Sequence, residues 1–87
     1  MPTISQFYGI KIILNPRDHN PPHFHVRYAE FEAAIRIADG QILAGFLPPK
    51  ARGLTEEWRL IHQERLLESW DSMINFGKVI KIAGLDQ

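Results

Sequence analysis

Apolar and polar residues alternate along four segments in the first half of the chain, at residues 7–14, 23–28, 31–37 and 41–46. Successive side chains of a β-strand point to opposite faces, so this alternation predicts four strands that each have an apolar face. In the second and third segments, the side chains predicted to face the core are Phe24, Val26, Tyr28, Phe31, Ala33, Ile35 and Ile37.

The first and fourth strands have less regular patterns. The side chains predicted to face inward in these two strands are Tyr8, Ile10, Ile12, Leu14, Ile42, Ala44 and Phe46. Phe7 and Ile13 fall on the outer face, and exposed apolar strand residues predict a dimer or partner contact. Two-residue turns are predicted at residues 29–30 and at Asp39-Gly40, where the Asp-Gly pair suits a type I′ hairpin.

From Pro48 onward the apolar residues recur every three or four positions, which is typical of a helix. Two apolar stripes result, the first with Leu47, Ala51, Leu54, Trp58 and Ile61, and the second with Leu66, Leu67, Trp70, Met73 and Ile74. At about 100° per residue the second stripe lies on the order of 130° around the helix from the first. One straight helix could not bury both, so we predict a bend or break near residues 62–65 that gives two helices. The first starts near Pro48 or only at Thr55, and the second ends at Gly77.

Residues 78–82 alternate again and are predicted to form a last strand. Together these elements predict a single α+β domain over residues 1–87. Its antiparallel sheet has four to five strands with two helices on one face, in the order β-β-β-β-α-α-β. The other face is predicted to be polar, mostly cationic and partly exposed, and it carries Lys11, His23, His25, Arg27, Glu32 and Arg36. A chain of 87 residues has little apolar material for a deep cavity, so a site is expected on the surface or in a shallow cleft.

Composition narrows the classes of function. The chain has 10 basic and 10 acidic residues and no formal net charge, so nucleic-acid binding is not favoured and would need a local basic patch. The absence of cysteine excludes disulfides, thiolate catalysis and Cys-ligated zinc. No apolar run approaches the ~20 residues needed to cross a bilayer, and no signal peptide is visible. We therefore expect a cytoplasmic protein that does not contact a membrane.

Three of the four histidines lie within seven residues and next to an aspartate, in the segment Asp-His-Asn-Pro-Pro-His-Phe-His at residues 18–25. His23 and His25 stand two positions apart in a predicted strand. That spacing places both imidazoles on the same face, with about 6–7 Å between their Cα atoms. Asp18 and His19 lie across the loop, where the carboxylate could orient an imidazole.

Two interpretations of this segment involve chemistry. His23 and His25, with His19 or Asp18, could ligate a divalent transition metal such as zinc, manganese or iron and leave an open coordination position. No other cofactor is suggested by the sequence. The histidines could instead act as base and acid on a phosphodiester, because histidine titrates near neutrality.

Two further interpretations involve no chemistry. The loop and the adjacent His/Arg sheet face could bind a protein, or locally a nucleic acid, through Asp18, Asn20, Arg27 and Arg36. Both arginines would also suit a phosphate in the catalytic case. Alternatively, Asp18 and Asn20 could bond backbone amides in a self-capping turn with only a structural role.

The chain resembles the bacterial domain-of-unknown-function family forty-one-sixty (DUF4160), a family of short proteins, over nearly its whole length. The residues that carry the resemblance are the opening Met-Pro-Thr-Ile-Ser, Phe7-Tyr8-Gly9-Ile10, the segment at 18–25, Leu47-Pro48, Trp58, His62 and Trp70. The segment at 18–25 is the most specific of these. Ala29-Glu30 departs from the glycine often found at that turn, which affects only the hairpin geometry.

The resemblance implies no established activity. Members resemble components of small two-gene operons of the toxin–antitoxin kind, which implies a small protein partner encoded nearby, or a small ribonuclease-like toxin. We therefore expect a partner-binding or regulatory module that uses the His/Pro loop and the His/Arg sheet face, with homodimer formation as a further expectation. The alternative is a small phosphodiesterase that uses His23 and His25.

Overall fold

Five strands come first in the chain and one helix follows them. The computed structural model describes residues 2–87. The elements are β1 (Thr3–Phe7), β2 (Ile10–Ile13), β3 (His23–Tyr28), β4 (Phe31–Arg36), β5 (Ile42–Gly45) and α1 (Pro49–Phe76). The strands form one sheet in the order β1-β2-β3-β4-β5, and each pairs antiparallel with the next. The predicted α+β class is confirmed, but the observed order is β-β-β-β-β-α.

A single kinked helix replaces the two helices that the sequence predicts. The prediction of two helices is wrong, because α1 continues for 28 residues through the expected break. The bend itself is present at His62, whose backbone leaves the helical region (φ −114°, ψ 20°). This kink turns the second stripe toward the core, so that Trp58 before it and Trp70 after it are both buried. Ile61 of the first predicted stripe is exposed, and so are Leu67 and Ile74 of the second, so the prediction that these three face inward is wrong.

The predicted strand at residues 7–14 is divided by a tight turn. Tyr8 and Gly9 both have positive φ, 49° and 77°, and they connect β1 to β2, whose end residues Phe7 and Ile10 are paired. Phe7 is therefore a residue of β1 and is buried in the core, stacked on Trp58 with 5.7 Å between ring centroids. Ile13 is also buried. The expectation that Phe7 and Ile13 form an exposed apolar pair is wrong.

An irregularity in the pairing of β4 with β5 changes which side chains of β5 face the core. Ala34 is opposite Ala44, but Ile35 is opposite Ile42, so Leu43 is the extra residue of a bulge. A shift of one residue reverses the faces of a strand. Ala44 consequently lies on the outer sheet face and is exposed, and so is Phe46, although both were predicted to face inward.

The two predicted hairpin turns differ in outcome. The turn at residues 29–30 is confirmed, because Tyr28 and Phe31 are paired on either side of it. The turn at Asp39-Gly40 is wider than predicted. It spans residues 37–40, closed by a hydrogen bond from the Gly40 amide to the Arg36 carbonyl oxygen at 2.9 Å.

The C-terminal segment has no regular secondary structure, so the strand predicted at residues 78–82 is absent. The segment is nevertheless fixed along β1, where the Ile82 amide donates to the Ile4 carbonyl oxygen at 2.8 Å. The buried hydroxyl of Ser69 accepts from the Ile80 amide at 2.8 Å and donates to its carbonyl at 3.0 Å. Ile82 is buried, as predicted.

The helix ends where the sequence predicts. Gly77 adopts the left-handed conformation (φ 70°) and its amide bonds back to the Met73 carbonyl oxygen. The helix begins at Pro49, which agrees with the earlier of the two predicted starts. Within residues 2–87, no helix combines the length and the apolar character needed to span a bilayer.

Candidate functional site

The loop between β2 and β3 folds back so that Asp18 lies beside the first residues of β3. Its first turn is held by Asn15, whose side-chain oxygen accepts from the Arg17 amide at 3.0 Å and whose carbonyl accepts from the Asp18 amide at 3.0 Å. Such local bonds are the usual reason for asparagine in a turn. At the other end, the Pro22 carbonyl accepts from the Ile37 amide at 3.0 Å. Both ends of the loop are therefore fixed by hydrogen bonds.

His23 and His25 project on the same side of β3, as the alternation predicts. Their ring centroids are 5.2 Å apart, with the rings at 73° to each other. β3 is the central strand of the five; His25 is paired with Ile13 of β2 and Ala34 of β4, and His23 is paired with Arg36 of β4. The two imidazoles are thus presented from a paired strand rather than from the loop.

One carboxylate oxygen of Asp18 faces both imidazoles. Asp18 Oδ2 lies 2.6 Å from His25 Nε2 and 3.2 Å from His23 Nε2. Because an ionised carboxylate only accepts, the short contact is a hydrogen bond donated by His25 Nε2. The oxygen therefore already has one proton donor before His23 is considered.

The second nitrogen of His23 determines where its proton lies. His23 Nδ1 is 2.8 Å from the Pro21 carbonyl oxygen, and a carbonyl oxygen can only accept, so Nδ1 carries the proton. In the neutral ring, Nε2 then has a lone pair that faces the lone pairs of Asp18 Oδ2. Two acceptors in contact repel each other. The pair is satisfied only if a cation joins them, either as a second proton on His23 or as a metal ion.

Trp70 of α1 closes one side of this group. Its ring centroid is 5.5 Å from that of His23, and the indole belongs to the core. The side chains of Asp18, His23 and His25 are 18%, 13% and 32% exposed. The core thus covers Asp18, His23 and His25 on the Trp70 side, and solvent reaches the three side chains mainly at His25.

The two arginines of the sheet face differ in how well they are paired. Arg27 Nε donates to Glu32 Oε1 at 2.5 Å, from the residue directly opposite in β4. Arg36 is opposite His23 in the pairing of β4 with β3. Its side chain donates a hydrogen bond from NH1 to Asp39 Oδ2, at 3.4 Å. Arg36 Nε is buried and has no hydrogen-bond partner among residues 2–87. The partly exposed end of the Arg36 guanidinium is therefore only loosely paired, through the long contact with Asp39, whereas the Arg27 charge is neutralised by Glu32.

The remaining predicted residues are not brought into the group. His19 and Asn20 are exposed at the tip of the loop. Within residues 2–87, the only set of three His, Cys, Asp or Glu side chains whose ligand atoms converge consists of Asp18, His23 and His25, with these atoms within 4.8 Å of one another. Two imidazole nitrogens and one carboxylate oxygen at these separations could hold a transition-metal ion.

Comparison with known families places this group in context. The family described as "Domain of unknown function (DUF4160)" matches residues 9–71. The chain belongs to the DUF4160 family. No curated protein and no solved structure matches the chain. The DUF4160 match includes the loop, both histidines, Arg36 and Trp70, and it leaves β1 and the C-terminal segment outside.

The region matched by DUF4160 contains a second polar cluster, formed by Glu56, Arg59 and the backbone of Ile37. Arg59 donates from Nε and NH2 to the two carboxylate oxygens of Glu56 at 2.7 and 2.6 Å, and from NH1 to the Ile37 carbonyl at 2.9 Å. The hydrogen bond from Arg59 lowers the pKa of Glu56, and the same bond raises the pKa of Arg59.

The cluster of Glu56 and Arg59 was not predicted from the sequence. Their spacing of three is typical of an exposed pair on a helix. Arg59 is buried because the 37–40 turn lies over it, and a side chain on Gly40 would collide with both members of the pair. The residue in the sequence that could have indicated this packing is Gly40, whose positive φ of 75° lets the 37–40 turn lie close to Glu56 and Arg59.

His62, at the kink of α1, stands apart from both clusters. Its ring centroid is 5.5 Å from that of Trp58. Burial lowers its pKa from the ordinary 6.5 because the charged form loses hydration. It lies at the bend predicted near residues 62–65, and its side chain is half-buried against the core.

Proposed function

We propose that the protein is a metal-dependent phosphodiesterase whose ion is held by Asp18, His23 and His25. The observation that carries this proposal is the unsatisfied contact between Asp18 Oδ2 and His23 Nε2, at 3.2 Å. A histidine whose Nδ1 proton is fixed by a backbone carbonyl presents Nε2 as a lone pair, which is the usual arrangement of a metal-ligating histidine. Two histidines and a carboxylate suit zinc, manganese or iron and leave coordination positions open for water and substrate.

Arg36 supports a phosphodiester as the substrate. A partly exposed guanidinium on the strand next to the candidate metal ligands fits an oxyanion, because bonds from arginine to phosphate oxygens are charge-assisted. The Arg36 side chain is 33% exposed and its NH1 contact with Asp39 is long, at 3.4 Å, and its register opposite His23 places the two side chains on neighbouring strands. Arg27 is bonded to Glu32 and is not needed for this role.

The chemistry that this arrangement would supply is hydrolysis. Asp18, His23 and His25 would hold a divalent ion, which would supply Lewis-acid activation of a water molecule near neutral pH. The water oxygen bonds to phosphorus, the phosphorus–oxygen bond to the leaving group breaks, and the leaving oxygen takes a proton of the water. The products are a phosphate monoester and an alcohol. Arg36 would stabilise the charge that develops on the non-bridging oxygens.

The direct test is a metal titration with a matched pair of variants. We expect His25→Ala to weaken zinc or manganese binding by at least about 100-fold, since it removes a ligand. His19→Ala is the control, because His19 lies in the same segment but is exposed and outside the group; it should bind metal within a factor of about three of wild type. Hydrolysis of bis(p-nitrophenyl) phosphate and of a short RNA should require the added metal and fail in His25→Ala.

Two results would end this proposal. One is the absence of zinc, manganese, nickel and iron from protein purified without a His tag, together with no binding on titration. The other is equal activity of wild type and His25→Ala.

A second candidate function is a partner-binding module of the toxin–antitoxin kind. It is favoured by large apolar side chains that are exposed on α1 and at the β5 end of the sheet, namely Leu43, Phe46, Leu60, Ile61, Leu67, Ile74 and Phe76. Scattered exposed apolar residues are common, but several on one helix are typical of surfaces that meet another protein. We propose that such a partner would be encoded nearby and that the protein acts in a bacterial cytoplasm.

Copurification with the product of the adjacent gene tests the second function. If the helix mediates binding, Leu67→Lys should release the partner, whereas His23→Ala/His25→Ala should retain it. If the loop and the sheet face mediate binding, the opposite pattern is expected. Absence of any stable complex would remove the partner-binding function.

A further inference from the structure

A shallow trough lies on the outer face of the sheet, directly beside His25. It has a volume of about 200 Å³, and its lining includes Ile13, His25, Arg27, Glu32, Ala34 and Ala44. The pairing register explains its shape, since Ile13, His25, Ala34 and Ala44 are successive partners across β2, β3, β4 and β5. Large side chains at one end of this row and two alanines at the other leave a hollow with an apolar floor.

The bulge in β5 is what completes the floor. Without it, the register would turn Ala44 toward the core and bring the larger Leu43 to the outer face. Gly45 then ends the strand at a positive φ of 81°, where an added side chain would collide with the backbone of Glu32 and Ala33. The trough therefore depends on two small side chains and one glycine that the backbone requires.

Among the residues that line the trough, the charged side chains other than His25 are Arg27 and Glu32. Along one side lie Arg27 and Glu32, which neutralise each other through a hydrogen-bonded ion pair. A ligand group that carried a charge would gain nothing there and would lose hydration. A flat, uncharged, largely apolar group is what this surface would accept.

His25 belongs to both the trough and the candidate metal centre. Its ring lines the trough, while its Nε2 faces Asp18. Ala34 lies one strand from His25 and Ala44 lies two strands away, so the floor extends to about 10 Å from β3. A substrate with its reacting phosphate at the centre would place its neighbouring group over the alanines.

We propose that the trough is a nucleobase subsite, and that the substrate of the centre is a nucleotide phosphodiester. This inference rests on the proposed phosphodiesterase function. A nucleotide joins a flat, uncharged ring to a phosphate through one sugar, which matches an apolar floor beside a metal and Arg36. Imidazole rings also stack on bases, so His25 would contact the ring as well as the ion.

The test fills the trough without touching the metal ligands. Ala44→Leu is the informative variant, and Ala38→Leu, at another exposed alanine in the 37–40 turn, is the control. With metal-loaded protein, we compare hydrolysis of a dinucleoside phosphate with that of its abasic analogue, in which hydrogen replaces each base. We expect Ala44→Leu to lower kcat/KM for the dinucleoside phosphate by about tenfold and to leave the abasic substrate and metal affinity within about twofold.

Equal loss on both substrates, or no difference between Ala44→Leu and Ala38→Leu, would overturn the subsite. A second measurement does not depend on activity. Adenosine monophosphate should shift the NMR signals of Ala34 and Ala44 in wild type, and it should leave the Ala34 signal unshifted in Ala44→Leu. If an apolar amino-acid amide shifts these signals and the nucleotide does not, a peptide side chain is the occupant and the inference fails. Failure to bind metal, with the nucleotide shifts intact, would end the phosphodiesterase proposal but leave the base subsite standing.

Discussion

The molecule contains two polar clusters that look alike in composition and differ in how well they are satisfied. In the first, Arg59 has three donor groups, and each has its own acceptor on Glu56 or Ile37. In the second, one oxygen of Asp18 faces two imidazoles, of which only His25 has a proton to donate. Both clusters hold a turn or loop against a neighbouring element.

The difference separates a structural role from a role in binding. Two acceptors in contact repel each other unless a proton or a metal ion lies between them, so the contact between Asp18 Oδ2 and neutral His23 Nε2 needs an explanation. Departures from local consistency are expected where function requires them. In the cluster around Arg59, each guanidinium nitrogen has an acceptor, which favours a structural role. In the Asp18 group, either a second proton on His23 or a metal ion would satisfy the contact between Asp18 Oδ2 and His23 Nε2, and we propose the metal ion.

The largest expected effect on stability comes from breaking the satisfied cluster. Arg59→Ala would leave the Ile37 carbonyl without a partner and the 37–40 turn without support. Because Glu56 is partly exposed, we expect a loss of about 2–3 kcal/mol rather than the full cost of a buried unpaired charge. Urea unfolding measures it, and metal affinity should stay at the wild-type value. A loss of metal affinity in Arg59→Ala would show that the clusters are not independent.

A smaller effect is expected from the turn that covers the pair. Gly40 has a positive φ and is in close contact with Glu56 and Arg59, so Gly40→Ala adds both strain and a collision. We expect a loss of about 1–3 kcal/mol in the free energy of unfolding. Gly53→Ala is the control, because Gly53 lies within α1 with open space around it and should gain up to about 1 kcal/mol. Equal effects of the two substitutions would contradict the packing of the turn on Arg59.

The third prediction concerns His62, which is half-buried like the histidines of the Asp18 group but has no carboxylate beside it among its causes of pKa shift. The pKa of His62 is lowered by desolvation, so the folded state binds its proton less readily than the unfolded state. Stability is therefore lost as the pH falls from about 6.5 through the folded pKa. His62→Gln should flatten this part of the pH dependence of the free energy of unfolding. An unchanged slope between about pH 8 and pH 5 would contradict the assignment.

The smallest effect on stability should come from the unsatisfied group. Asp18→Asn in metal-free protein replaces an acceptor with an amide that can donate to His23 as well as accept. We expect the free energy of unfolding to change by no more than about 0.5 kcal/mol, in either direction. Metal affinity should nevertheless fall by at least about tenfold, because the charged ligand is lost. A destabilisation as large as that of Arg59→Ala would make Asp18 a structural residue.

The sequence was sufficient to predict the features that depend on local alternation. Residues 23–28 were placed correctly, including the common side of His23 and His25, because an unbroken strand leaves no choice of face. The bend near His62 was also predicted, from the change of phase between two apolar stripes. These features depend on periodicity alone.

The features that were missed depend on backbone irregularities. The turn at Tyr8-Gly9 places a positive φ on a tyrosine, which alternation cannot indicate, and it moved Phe7 into the core. The bulge beside Ala34 reversed the face of Ala44 and thereby created the trough. His19 could not be separated from His23 and His25 by spacing, because the path of the loop decides which histidines converge.

The NMR signals of the ring nitrogens of His23 and His25 report directly which nitrogen of each imidazole carries the proton. For metal-free protein with neutral His23, we expect the His23 proton on Nδ1 and the His25 proton on Nε2. One equivalent of zinc should shift the Nε2 signals of both rings and leave those of His19 unchanged. A His23 proton found on Nε2, bonded to Asp18, together with no response to zinc, would contradict the account, because the Asp18 group would then be as fully paired as the Arg59 cluster.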